Sequence, residues 1–254
     1  MSLIQVNQKD QVVYIQLSRP EKKNALTREM YQLMADALDK VQQDASVKVV
    51  CIRGEGQCFT AGNDIGDFAS KKDTEHVSET AAFMRALASC KKPVVAQVEG
   101  MAVGIGTTLL LHCDLVYSAP DTKFVLPFIN LGLVPEYASS YLLPRLAGHR
   151  KASEWLMLGE PFSAEEAKTF GIITDIVDGE HLDAHVERIC SKLAAKPAFS
   201  LNHTKSLMRN DDDAVMQQMN EELDVFIEAM NTEAAQEAFD AFLNKRPINP
   251  EKFK

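Results

Sequence analysis

Gly100, Gly104 and Gly106, coming directly after the apolar run Pro93 to Val98, constrain this chain more than any other feature. A short unbroken apolar run that ends in glycine reads as a buried strand closed by a turn. Gly104 and Gly106 let the backbone approach a neighbour closely, and the helix that follows carries the apolar face Thr107 to Leu111. The first N–H groups of such a helix have no partner within it. They suit a phosphate, or a carbonyl oxygen gaining negative charge, because unpaired donors and the helix dipole act together. A nucleotide loop fits poorly, since the third glycine of GxGxxG is replaced by Leu109. A strand-to-helix turn with no ligand accounts for these few residues as well.

Further along, Leu126 to Pro135 is almost wholly apolar until a single carboxylate, Glu136, precedes Ser139 and Ser140. If that acid is buried against the apolar wall, loss of hydration disfavours its charged form and raises its pKa, as a general base or acid near neutral pH requires. The competing reading is an exposed and inert loop glutamate. His112, Cys113 and Asp114 are adjacent on the expected helix and so cannot converge on one metal or substrate. His149, beside Arg150 and Lys151, reads as surface, and no metal constellation is visible.

The flanking sequence supports a globular fold. With 254 residues the chain allows one large domain or two small ones, and an apolar fraction of 46% is ample for a core. No run approaches the ~20 apolar residues of a membrane span. The start lacks the plan of a signal peptide, and Lys252 to Lys254 is not a peroxisomal address. A net charge of −9 argues against nucleic acid as the main partner. Cys51, Cys58, Cys90, Cys113 and Cys190 are odd in number and lack CxxC spacing, as expected of reduced thiols in a cytoplasmic protein.

Ile4 to Gln16 alternates around Lys9 and Asp10 like a hairpin, and Thr27 can cap a helix whose stripe is Met30, Leu33, Met34, Leu38 and Val41. Val47 to Arg53 predicts a second buried strand. Asp73 to Ser89 predicts a helix over the pocket with Phe83 and Leu87 inward. Ser163 and Glu166 match a capping box, Gly171 stops that helix, and Ile172 to Val177 predicts another strand. From about Leu182 the pattern is helical throughout.

Four segments carry a family likeness: RPEKKNAL (Arg19 to Leu26), FTAGNDI (Phe59 to Ile65), GMAVGIGTTLLLHCDLVYS (Gly100 to Ser118) and LGLVPEYASSYLLPRLAG (Leu131 to Gly148). In this order they resemble the enoyl-CoA hydratase/isomerase, or crotonase, superfamily. The resemblance implies an α/β fold, a crotonase-like spiral of repeated strand-strand-helix turns. The spiral core with the CoA and acyl site would occupy residues 1–195. Residues 196–254 would form a C-terminal helical region for oligomerisation, as a homotrimer or a hexamer built as a dimer of trimers. Met216, Met219, Phe226, Met230, Phe239 and Phe242 are the side chains that neighbouring subunits would cover. The implied partner is an acyl-CoA thioester, with CoA part of the substrate and no separate cofactor, metal, nucleic acid or membrane. Arg19, Lys22, Lys23 and Ala25 would meet CoA, together with Gly62, Asn63, Asp64 and Ile65. The N–H groups of Ala61 and Ile105 would form an oxyanion hole, and Phe68, Leu126 and Phe128 would line the acyl pocket.

The resemblance also bears on the reaction. Hydratases of the family use two glutamates, and the corresponding positions here are Thr108 and Phe128. Glu136 falls where the Δ3,Δ2-enoyl-CoA isomerases carry their catalytic carboxylate, and moving a double bond needs only one base. The expected reaction is therefore conversion of a 3-enoyl-CoA to a trans-2-enoyl-CoA in fatty acid degradation. Alternatives are another thioester reaction on this scaffold (hydration, hydrolysis, dehalogenation or decarboxylation) and a non-catalytic acyl-CoA-binding protein. Tyr137 is bulkier than the residue expected after that glutamate, which would narrow the acyl site.

Overall fold

Alternating apolar residues build a sheet buried on both faces in the computed structural model, which describes residues 2–68 and 77–253. Its strands in chain order are β1 (Ile4–Lys9), β2 (Val12–Leu17), β3 (Val49–Gly54), β4 (Val94–Val98), β5 (Met101–Val103), β6 (Leu115–Ser118), β7 (Lys123–Val125), β8 (Phe162–Ser163) and β9 (Asp175–Ile176). The main sheet runs β1-β2-β3-β4-β6-β9 and a second sheet runs β5-β7-β8. The β1–β2 hairpin is antiparallel and turns at Asp10, and the other pairs of the main sheet are parallel. From β4 onward the chain alternates between the sheets, β4 to β5 and then β6 to β7, which is the spiral that the resemblance implies.

Strand periodicity assigns the two faces. Val50 and Ile52 join the large core, whereas Val49 and Cys51 face a smaller one formed with Leu182, Val186 and Cys190. The helices are α1 (Arg28–Gln43), α2 (Ile65–Phe68), α3 (Ser78–Ala88), α4 (Ile105–Thr108), α5 (Ser139–Ala147), α6 (His149–Leu158), α7 (Ala164–Thr169), α8 (Gly179–Ala194), α9 (Ala198–Met208), α10 (Asp212–Met230) and α11 (Glu233–Leu243). Thr27 caps α1 by accepting from the Met30 N–H, as expected. The expected 172–177 strand is paired only over Asp175 and Ile176. Of the expected 73–89 helix, α3 begins at Ser78 with Phe83 and Leu87 fully buried, and Asp73 to His76 lie outside the described residues. Ser163 caps α7, but the Glu166 carboxylate binds Trp155 Nε1 and Lys151 rather than closing the box.

The last helices share the core of the spiral. Val215, Met219, Phe226, Met230 and Phe239 of α10 and α11 are buried in this chain's own main core, so these side chains need no neighbouring subunit. Met216 is half-buried and Phe242 is 63% exposed.

Candidate active site

The glycine turn after β5 is built by a conformation that only glycine adopts readily, φ 56° and ψ −119° at Gly104. The Gly104 N–H bonds to Val125 O, and its carbonyl accepts from the N–H groups of Thr107 and Thr108, which starts α4. The Ile105 N–H at the head of that helix meets no acceptor among the described residues. Gly106 answers a different need, because a Cβ there would stand 2.4 Å from Thr60 Cγ2. It brings α4 against the Phe59 to Ile65 segment. The apolar helix expected over Thr107 to Leu111 is α4 continued as a 3-10 turn through Leu109–His112.

Phe59 to Ile65 lies between two other stretches of chain. Thr60 pairs with Met101 and Val103 on one side, and Gly62 and Asp64 pair with Leu26 on the other. The Ala61 N–H bonds to Lys23 O at 2.9 Å and is therefore engaged within the fold. That overturns the expectation that it is an oxyanion donor, since a donor already paired with a carbonyl is not free to bind a developing charge. Two residues on, the pairing of Gly62 and Asp64 with Leu26 leaves the Asn63 N–H on the side of the segment away from Leu26, and it has no acceptor among the described residues. The Asn63 side chain is held as well, its Oδ1 accepting from the buried Tyr31 hydroxyl of α1.

Glu136 faces the same helix. It is 6% exposed, and its Oε1 accepts a 2.5 Å hydrogen bond from the Thr108 hydroxyl. Burial pushes its pKa up from 4.5 to about 8; the Thr108 bond opposes the shift and the nearby carboxylate of Glu222 adds to it. The Thr108 hydroxyl thus orients the Glu136 carboxyl. Phe128 is 5% exposed, with its ring near the Gly104 turn, and Leu126 is fully buried. Phe68 closes α2, and its side chain lies outside the described residues.

Tyr137 is packed inside the fold. Tyr137 and Ala138 both adopt left-handed conformations, φ 64° and 56°, and this turn sends the Tyr137 ring into the core. The ring stacks on His112 with centroids 3.9 Å apart, and its hydroxyl donates to Met84 O. His112 Nε2 donates to Tyr137 O, and burial lowers the imidazole pKa to about 3, so the ring is neutral. His112, Cys113 and Asp114 do diverge: Asp114 binds Lys205, Arg209 and the Val94 N–H, while the Cys113 thiol lies near Leu109 O.

The expected CoA residues separate into two groups. Lys22 and Lys23 are exposed. Arg19 is engaged within the fold, where it pairs with Asp64 at 2.6 Å and donates to Ala25 O, so it braces the loop and is not a free phosphate contact. Burial acts upward on the Asp64 carboxyl, but Arg19 and the amides of Gly66 and Asp67 hold it below its ordinary value. Gly62 is buried under Val103 O, and Ile65 is half-buried at the start of α2. Tyr31 and Glu222 were not foreseen: Tyr31 shares the buried stripe of α1 and nothing local marks its hydroxyl as bound to Asn63, and Glu222 is one acid among several on α10.

A family model described as enoyl-CoA hydratase/isomerase matches residues 7–252. The chain is 33% identical to the 1,2-epoxyphenylacetyl-CoA isomerase of Escherichia coli (strain K12), over 92% of this chain and 93% of that one. It is 34% identical to enoyl-CoA delta isomerase 2 of Rattus norvegicus, over 83% of this chain and 55% of the longer relative. Among solved structures, Pseudomonas aeruginosa OdaA superposes with a TM-score of 0.92 at 42% identity, over 96% of this chain and 99% of that one.

Proposed function

The chain belongs to the enoyl-CoA hydratase/isomerase family, and from that premise we propose that it moves a double bond, converting a 3-enoyl-CoA to a trans-2-enoyl-CoA. The observation that carries this reading is Glu136: a buried carboxylate, raised to about pKa 8, bonded to the helix whose first N–H meets no acceptor among the described residues. Glu136 removes a proton from C2 of the thioester. The electrons of that C–H bond form the enolate, and the N–H groups of Asn63 and Ile105, which meet no acceptor among the described residues, bind the oxygen on which the charge develops. The protonated Glu136 then returns its proton at C4, the C2=C3 bond forms, and atoms and charge balance with no water consumed. Desolvation by the buried surroundings keeps Glu136 basic enough for the first step. The exposed Lys22 and Lys23 would meet the CoA phosphates. By family likeness the working form is a trimer or a dimer of trimers.

The test follows absorbance of the conjugated enoyl thioester as the protein acts on 3-hexenoyl-CoA, alongside Glu136→Gln and a 2-enoyl-CoA hydration control. Conjugation by the wild type, its loss in the variant and negligible hydration are expected. A silent wild type that still binds CoA thioesters overturns the reading.

A further inference from the structure

Glu222 is a second buried carboxylate at the same corner of the molecule, and no step above uses it. It projects from α10 and is 6% exposed. Its Oε1 accepts from the Ser140 N–H at 2.9 Å and from the Ser140 hydroxyl at 2.5 Å. Gln218, one turn earlier on α10, donates to the same hydroxyl at 3.2 Å. The residue at the head of α5 is Ala138, which has no side-chain acceptor, so the cap that this helix lacks locally comes from 82 residues away.

What Glu222 caps is a strained turn. Left-handed conformations at two successive non-glycine residues are strained and persist only where the surroundings hold them. His112 and the Met84 carbonyl fasten Tyr137 on one side, and Glu222 fastens Ser140 on the other. Glu136 is the residue that enters this turn. We propose that Glu222 is a positioning residue for Glu136: by capping α5 from α10 it holds the Tyr137–Ala138 turn that directs the Glu136 carboxyl at Thr108. Its charge has a second effect, since two like charges at one buried corner favour the protonated form of each.

The groups facing Glu136 are the Thr108 hydroxyl from α4, the Tyr31 phenol from α1, Glu222 from α10 and the adjacent Tyr137; burial holds both phenols neutral. Glu222 faces Ser140 and the amides of Ala138 and Ser139 from α5, with Gln218 beside it. Burial raises the Glu222 pKa, and these donors oppose the rise.

Glu222→Gln keeps an acceptor oxygen for Ser140 and removes the charge, while Glu222→Ala removes both. Two readouts separate position from charge in the full chain. The first is infrared difference titration of the carboxyl band that Glu136→Gln abolishes, which needs no substrate. Glu222→Gln is expected to lower that midpoint by about half a pH unit or more. The second is kinetics on 3-hexenoyl-CoA, which rests on the isomerase reading. Glu222→Ala is expected to lower kcat about tenfold with KM within about twofold, and Glu222→Gln to recover most of the loss. If wild type is inactive on that substrate, the isomerase reading fails and the infrared midpoint alone decides on Glu222. If Glu222→Ala does not fold, Ser140→Ala takes its place, with a smaller fall in kcat expected. An unchanged midpoint in Glu222→Gln, or an unchanged kcat in the folded alanine variant, overturns the proposal.

Discussion

At the scale of single residues, protonation of Glu136 links activity to stability. Folding raises its pKa from 4.5 to about 8, so the folded state holds the proton more tightly than the unfolded chain. The stability this proton contributes is complete below the unfolded value, falls as pH rises and is gone above the folded value. Glu136→Gln has no proton to lose, so it should melt about 4–8 °C above wild type at pH 8.5, with the gap closing by pH 5. Scanning calorimetry at both pH values checks it. Because the base must be unprotonated, kcat/KM should rise with pH to a midpoint near about 8, which a pH profile on 3-hexenoyl-CoA measures. Tyr31→Phe should lower kcat about tenfold by releasing the Asn63 carboxamide that steadies the neighbouring N–H, while leaving the melting temperature nearly unchanged. The sequence left Glu136 either buried against the apolar run or exposed on a loop, and the structure takes the buried alternative; the role proposed for it came from the family resemblance. Ala61 was misread because residue order does not reveal which amide hydrogens the fold has already paired, whereas the bond to Lys23 O does. Arg19 was misread for the same reason, its partner Asp64 lying 45 residues along the chain.

Gly104 at the cap of α4 and Gly106 within it do different work, and substitution should separate them. Gly104→Ala has room for a methyl group, the nearest atom being 3.9 Å away at Phe128, so its cost is backbone strain of roughly 1–3 kcal/mol and a misaimed Ile105 N–H. Gly106→Ala meets Thr60 at 2.4 Å and must push α4 away from the Phe59 to Ile65 segment. Urea titrations should show both destabilised, and the double variant Gly106→Ala with Thr60→Ser should regain stability while Gly104→Ala with Thr60→Ser does not. Elements with local signals were legible: the β1–β2 hairpin, the Thr27 cap and the inward face of α3. The cap of α5 was not, because its acceptor comes from α10 and leaves no mark near Ala138.

At the scale of the whole molecule, the apolar side chains left more than half exposed among the described residues include Phe199, Leu207 and Met208 on α9, Met157 and Leu158 on α6 and Phe242 on α11. An assembly of the kind proposed above would cover them. Phe199→Glu with Leu207→Glu should reduce the sedimenting mass without lowering the helix content seen by circular dichroism. Strand alternation in the sequence indicated which residues are buried but not the order β1-β2-β3-β4-β6-β9, since parallel pairing is set by crossovers between distant segments. The same dependence on distant segments governs Glu222 and its cap. Residues 1–195 contain Glu136, Thr108 and the amides of Asn63 and Ile105, yet Ser140 has no acceptor from α10 until residues 212–230 have docked. During synthesis and refolding, catalytic competence is therefore acquired last: the sheet can close early, while Glu136 waits for the final quarter of the chain.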